Sequence, residues 1–430
     1  MHGISRRLLA VGAAVLVGVT AAPTAAAQAH QKKSYVKVGY FTQWGIYGRD
    51  FQLAKVQQSG AAAGLTHLNY AFGPVTAAGV CDSADPWADW GVPFTAALSV
   101  DGVADVAGQP IAGNLNQLAE LKRKNPKLRV LISLGGWTGS ATFSDAALTD
   151  ASRKKLVGSC VDLWLKGNLP GLSAGVAAGI FDGVDLDWEW PGSAGNDGNV
   201  IRPEDKPNFT LLAAEFRRQL DALGRKNHRH YDLTAFLPAA PAKIDAGFEA
   251  KKIFKYLDFG TVQGYDFHGS WEARTNQQSA LRVPAGAPDN PDFSVEVAIG
   301  TWRDRGAPAR RLVLGIPYYG QGWTGTTGGL FSAATGGAPG TFAVGTEDYK
   351  VLKNLPKQGY RLHRDWRSGH SWLSDGTTFW TYDDPAQILQ KTAYIRAEGL
   401  GGAMMWSLDG DDERASLTRT ISAGLRIPWR

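Results

Sequence analysis

Phe181-Asp-Gly-Val-Asp-Leu-Asp-Trp-Glu-Trp-Pro191 sets four carboxylates, Asp182, Asp185, Asp187 and Glu189, among apolar residues. Side chains alternate faces along a β-strand. Asp185, Asp187 and Glu189 therefore share one face, and Val184, Leu186 and Trp188 share the other. The apolar face calls for a covering layer of helices, so the acidic face points inward, as on the wall of a closed barrel. Asp182 has the opposite parity and stands at the strand's start, which marks it as structural. Like charges a few ångströms apart cannot all ionise, so protons are retained among the three inward acids. Glu189 comes last, at the C-terminal end of the strand, where barrel proteins place their chemistry. A glutamic acid kept protonated there is suited to proton donation.

Seven similar strand-type runs surround this one: 35–41, 66–72, 128–133, 231–237, 259–265, 312–317 and 402–408. Amphipathic stretches lie between them. Leu115, Leu118 and Leu121 recur at helical spacing in 115–124, and Leu211, Leu212, Phe216, Leu220 and Leu223 do so in 204–223. Alternating β and α units imply parallel strands with helices outside. Eight of them predict an α/β fold, a (β/α)8 TIM barrel, with an open doubly wound sheet as the alternative. Two connections, 73–114 and 322–383, are too long for bare loops. The second contains the β-like run 377–382 and precedes a helix at 385–398, so 322–383 reads as a small α+β subdomain between strands seven and eight.

The chain has 430 residues, with 45 basic and 40 acidic side chains. No Lys/Arg run resembles a nucleic-acid patch, which excludes that partner class. Arg6 and Arg7, the apolar stretch 8–19 and the small residues Ala25, Ala27 and Ala29 read as a secretion signal over 1–29, cleaved to release an extracellular protein. The apolar stretch is shorter than a membrane span, and no later segment suggests one. The 15 tryptophans exceed what a core needs and leave several to line a groove for flat apolar faces. Cys81 and Cys160 are compatible with a disulfide after export, or with a buried free thiol at Cys160 inside a helix over 152–165.

The acidic strand resembles glycoside hydrolase family 18, the chitinases. The family pattern D-x-x-D-x-D-x-E is complete at Asp182, Asp185, Asp187 and Glu189, and S-x-G-G is present at Ser133-Leu-Gly-Gly136. The runs 39–49 and 85–89 resemble the bacterial members, and the resemblance spans 34–430. It implies hydrolysis of β-1,4 linkages in chitin and in N-acetylglucosamine oligomers, by a monomer needing neither metal nor cofactor. Most glycosidases pair their acid with a second carboxylate. The resemblance implies instead that the substrate's own N-acetyl carbonyl attacks, giving an oxazolinium ion and retained configuration. Glu189 is then the acid/base. Asp187 holds the acetamide N–H, Asp185 shares a proton with Asp187, and Tyr265 and Asp266 position the acetamide. Two departures stand out: Gln263 where the family usually has Met, and Gln321 where it often has Arg.

Tyr40, Trp44, Trp137, Trp190, Tyr319 and Trp406 fall at or just past C-terminal strand ends and are expected in the binding groove, together with Gly135, Gly136, Thr138 and Gln263. By the resemblance, Trp406 forms the floor under the sugar before the scissile bond, and Trp137 stacks on the sugar after it. Trp164, Trp188 and Trp302 face the helical layer by pattern. Two other functions share the fold: a chitin-binding lectin, which typically lacks the acid, and an endo-β-N-acetylglucosaminidase acting on N-glycans.

Overall fold

The structure, a computed structural model, describes residues 34–288, 293–327 and 329–427. The expected secretion signal over 1–29 lies outside the described residues. Seven strands in chain order, β1 (Val36–Thr42), β2 (His67–Gly73), β3 (Arg129–Gly135), β4 (Gly183–Asp187), β5 (Asp232–Leu237), β6 (Phe259–Val262) and β7 (Leu312–Pro317), lie in parallel. A second group follows: β8 (Tyr319–Thr324), β9 (Gly336–Gly337), β10 (Thr346–Asp348), β11 (Arg361–Asp365), β12 (His370–Ser374) and β13 (Thr378–Tyr382). The last strand, β14 (Gly402–Trp406), pairs with β1 and β7 and closes the eight-stranded (β/α)8 barrel.

The expected alternation on β4 is present. Val184, Leu186 and Trp188 are buried against the helices, with the Trp188 ring 5.4 Å from Phe143 and 6.2 Å from Phe209. Phe143 lies in the helix Phe143–Ala147 and Phe209 in the long helix Asp205–Asn227. That long helix also turns Leu212, Phe216 and Leu220 inward, each fully buried. This is the apolar stripe that a 3.6-residue period produces on one face. Trp164 and Trp302 are buried in the same layer.

Two strands are shorter than expected. The ladder between β4 and β5 ends at Leu186–Ala235, and the Glu189 backbone N–H turns to the Ser140 hydroxyl at 2.9 Å. Glu189 therefore sits just past the strand, not on it. The β6 run stops at Val262, short of the expected 265, and Asp266 adopts a left-handed φ of 54° that directs the chain away.

The helix expected over 152–165 is an α-helix, Asp150–Cys160, that continues as a single wide turn, Val161–Leu165. Cys160 is not a free thiol. It is bonded to Cys81, tying this helix to the connection after β2 across 79 residues of chain. The strands β8 to β13 form one antiparallel sheet in the order β10-β8-β13-β12-β11, with β9 beside β8. It starts at Tyr319, almost directly after β7. A fully buried ion pair, Lys391 with Asp383, joins the end of β13 to the helix Pro385–Ala397, and Ser279 also donates to Asp383 at 3.0 Å. Among the described residues no helix is long and apolar enough to cross a membrane.

Candidate active site

Inside the barrel, the register aligns Ser133 on β3, Asp185 on β4 and Thr234 on β5. All three are fully buried. Asp185 accepts from the Tyr40 hydroxyl at 2.6 Å, from Ser133 at 2.8 Å and from Thr234. Burial raises its pKa, and these donors act against that rise because they favour the charged form. Asp185 is thus the acid best supplied to hold a negative charge.

One step up the strand, Asp187 has no such set of hydroxyls, and its Oδ1 is buried without a partner. Its pKa lies well above the usual carboxylate range, first through burial and then through the charges of Glu189 and Asp185. Its side chain is hydrogen-bonded to Glu189. The side-chain hydrogen bond of Asp187 in this structure runs to Glu189, where the family resemblance implies a proton shared with Asp185. The reason is local: three hydroxyls already satisfy Asp185.

Glu189 is pushed up to about 8, chiefly by burial. Lys243 opposes this and the charge of Asp266 adds to it. A proton donor must hold its proton before the reaction. Activity measured as kcat/KM should therefore fall as pH rises through about 8, which an initial-rate profile checks. An activity still rising beyond pH 9 would remove Glu189 from the donor role.

The Glu189 backbone is fixed from both sides. Ser140 holds its N–H, and Asn199 donates to its carbonyl at 2.8 Å. Ser140 also donates to the Gly136 and Asp187 carbonyls. Gly135 and Gly136 sit at φ +108° and +79°. A Cβ on Gly135 would meet the Asp187 carbonyl at 2.3 Å, and one on Gly136 would meet the Phe72 ring at 2.6 Å. The glycines thus allow β3 to lie close beneath Asp187, and neither forms the cleft surface.

A cleft of about 850 Å³ opens above these acids, within the usual range for ligand sites. Tyr40, Trp44, Trp137, Thr138, Asp187, Glu189, Trp190, Gln263, Tyr265, Asp266 and Trp406 line it, all named from the sequence. Tyr40 is almost wholly buried, and its hydroxyl is spent on Asp185. Trp406 stands edge-on to Tyr40 at 5.2 Å and stacks on Phe72 at 5.7 Å, and Phe72 stacks on Trp44 at 6.0 Å. Trp44 and Trp137 are 44% and 49% exposed, leaving their faces open to a ligand.

Tyr265 packs against Phe236 and stands edge-on to Tyr319. Asp266 accepts from the Gln321 amide at 2.9 Å and from Tyr319, and burial raises its pKa. A smaller hollow of about 290 Å³ adjoins this end and is lined by Tyr319, Gln321, Thr346 and Asp348, beside Trp44 and Trp406. Asp182 stands apart at the barrel's other end, bound to Val130 N–H, Lys122 and Arg229. His268 bonds to Glu272 at 3.0 Å, away from the acids.

The sequence reading missed several cleft residues: Phe72, Phe236, Lys243, Phe267, Trp271 and Phe293. A signal existed for Lys243. It is the first charged residue after the C-terminal end of the fifth strand, where βα loops meet the mouth of a barrel. For Ser140 and Asn199 there was none, since both act through contacts to the Glu189 backbone, across 49 and 10 residues of chain respectively.

The sequence profile described as glycosyl hydrolases family 18 matches residues 36–411. The chain is 36% identical to chitinase A1 of Niallia circulans over 93% of its own length, and 38% identical to chitinase 63 of Streptomyces plicatus over 91%. It spans 60% of the length of each of these curated relatives. Among solved structures, the catalytic domain of a psychrophilic chitinase B from Arthrobacter TAD20 matches with a TM-score of 0.88 and 47% identity, over 91% of this chain and 95% of that one.

Proposed function

Because the chain belongs to glycosyl hydrolases family 18, we propose that it is a secreted, monomeric chitinase that cleaves β-1,4 linkages between N-acetylglucosamine units with retention of configuration. One observation carries the reading: Asp185, Asp187 and Glu189 rise in line to the floor of an aromatic cleft, with Glu189 holding a proton up to about pH 8. In this reading Glu189 protonates the leaving oxygen and later activates water. Asp187, released from its bond to Glu189, takes the acetamide N–H and shares the charge of the cyclic ion. Asp185 supports Asp187 from beneath. Tyr265 and Asp266 fix the acetamide so that its carbonyl oxygen faces the anomeric carbon.

The cleft's own carboxylates support a substrate nucleophile. Those that line it are Asp187, Glu189 and Asp266. Asp187 shares its proton with Glu189, and Asp266 is engaged by Gln321 and Tyr319. None stands ready as a free attacking group, so the acetamide supplies the attack.

The second sheet, read as an insertion subdomain over 322–383, walls the end of the groove that holds the sugars before the bond. Support comes from Gln321, Thr346 and Asp348 in the smaller hollow. The presence of Glu189 argues against a lectin. The open faces of Trp44 and Trp137 along the cleft favour a linear polymer over a branched N-glycan. Short incubation with N-acetylglucosamine oligomers should yield small oligomers, while a glycoprotein keeps its glycans. Glycan release without oligomer cleavage would favour the endo-β-N-acetylglucosaminidase reading.

A further inference from the structure

We propose that Lys243 makes the cleft select against a deacetylated, cationic sugar unit in the subsite just beyond the scissile bond. The inference rests on the chitinase reading above and concerns which units of a mixed polymer the same site accepts.

Lys243 lies in the short helix Pro241–Gly247 that follows β5, and it lines the cleft beside Glu189. Its ammonium stands 5.3 Å over the Trp190 ring, a cation–π placement. Trp190 is itself buried against Phe236 at 5.4 Å, so the platform under the charge is fixed. Among the described residues no carboxylate lies within ion-pair distance of this ammonium. Burial lowers the pKa of Lys243 and the charge of Glu189 acts against that fall, while Glu189 holds its own proton at neutral pH. The positive charge at this wall therefore stands without a compensating anion.

Its position decides which unit feels it. The barrel order sets β1, β14 and β7 on one arc and β5, β4 and β3 on the opposite arc. The smaller hollow belongs to the first arc, with Trp406 at the end of β14 and Tyr319 just past β7, and Asp266 reaches it from the turn after β6. Lys243, Trp190 and Trp137 follow strands of the second arc and line only the larger cavity. A chain crossing from one arc to the other passes Glu189 and then meets Lys243 with its leaving-group unit. An acetylated unit presents a neutral amide there. A deacetylated unit presents an ammonium, and the two like charges repel.

The test is digestion of a randomly, partially N-acetylated chitosan by wild type, Lys243→Gln and Lys243→Arg, followed by identification of both new chain ends. Wild type should enrich acetylated units at the new non-reducing ends by about threefold or more, the size expected for unit charges about 6 Å apart in a water-like medium. Lys243→Gln should bring that ratio close to random, and Lys243→Arg should keep it. In wild type alone, raising salt towards 1 M should shrink the enrichment, because the screening length falls to about 3 Å. That arm holds even if the glutamine variant does not fold. A random composition at the non-reducing ends in wild type, or an enrichment unchanged in Lys243→Gln and unchanged by salt, overturns the proposal. The new reducing ends report separately on the function itself: they should be acetylated in every variant. No cleavage at all by wild type, or deacetylated reducing ends, would count against the chitinase reading and not against Lys243.

Discussion

Glu189→Gln should lower turnover on N-acetylglucosamine oligomers by roughly 10²–10⁴-fold while oligomer binding persists. The amide keeps the size and the hydrogen-bonding reach of the carboxyl but has no proton to give to a leaving alkoxide. The local fold should survive the change. Ser140 and Asn199 hold residue 189 through its backbone, and neither contact depends on the side chain. Asp187 keeps a hydrogen-bonding neighbour, so the ladder beneath stays assembled. Turnover by single-point progress curves, with affinity by calorimetry on the same preparation, separates the two effects. Near wild-type turnover would remove Glu189 from the mechanism, and loss of binding in proportion to turnover would make it a binding residue.

The largest stability effect is expected at the other end of the architecture. Lys391→Met should destabilise the fold by roughly 3–5 kcal/mol, because it leaves Asp383 buried without its counter-charge. Both side chains are fully buried where the second sheet meets the last barrel helices. Burial raises the pKa of Asp383 and lowers that of Lys391, and in each the partner opposes the shift. In the variant, Asp383 binds a proton more tightly folded than unfolded. The loss should therefore ease as pH falls towards the carboxylate range and grow as pH rises. Asp383→Asn combined with Lys391→Met should recover part of the loss, since no bare charge then remains. Denaturant titration at two pH values measures all three. A loss below 1 kcal/mol would show that water reaches the pair.

The barrel and its acidic strand were legible because both rest on short periods. A two-residue alternation put Asp185, Asp187 and Glu189 inward and Trp188 outward, and a 3.6-residue stripe placed the long helix over the sheet. What lay beyond reach depended on chain returning from far away. The Cys81–Cys160 bond needed the helix that ends at Cys160 and the long connection after β2 to meet. Gln321 is a departure from the family pattern in sequence; only the approach of β8 to the turn after β6 shows it donating to Asp266. The hydrogen-bond partner of Asp187 turned on three hydroxyls from three other strands, which saturate Asp185 and leave Asp187 to Glu189. Lys243 shows the intermediate case, visible as a charge at the right end of the fifth strand but without meaning until Trp190 and Glu189 are beside it.

The central claim is that the attacking group belongs to the substrate. It follows from a cleft whose carboxylates are each engaged by a proton or a donor. A thiazoline analogue of N-acetylglucosamine oligomers, which copies the cyclic ion, should accordingly inhibit. Proton NMR of products within the first minutes, before mutarotation, tests the claim most directly. Two successive displacements at the anomeric carbon restore its configuration, so the new reducing ends should appear first as β-anomers, and no cut should follow a deacetylated unit. An initial α-anomer would show a single displacement by an activated water, and efficient cleavage after glucosamine would show that an enzyme carboxylate or an activated water, not the acetamide, makes the attack.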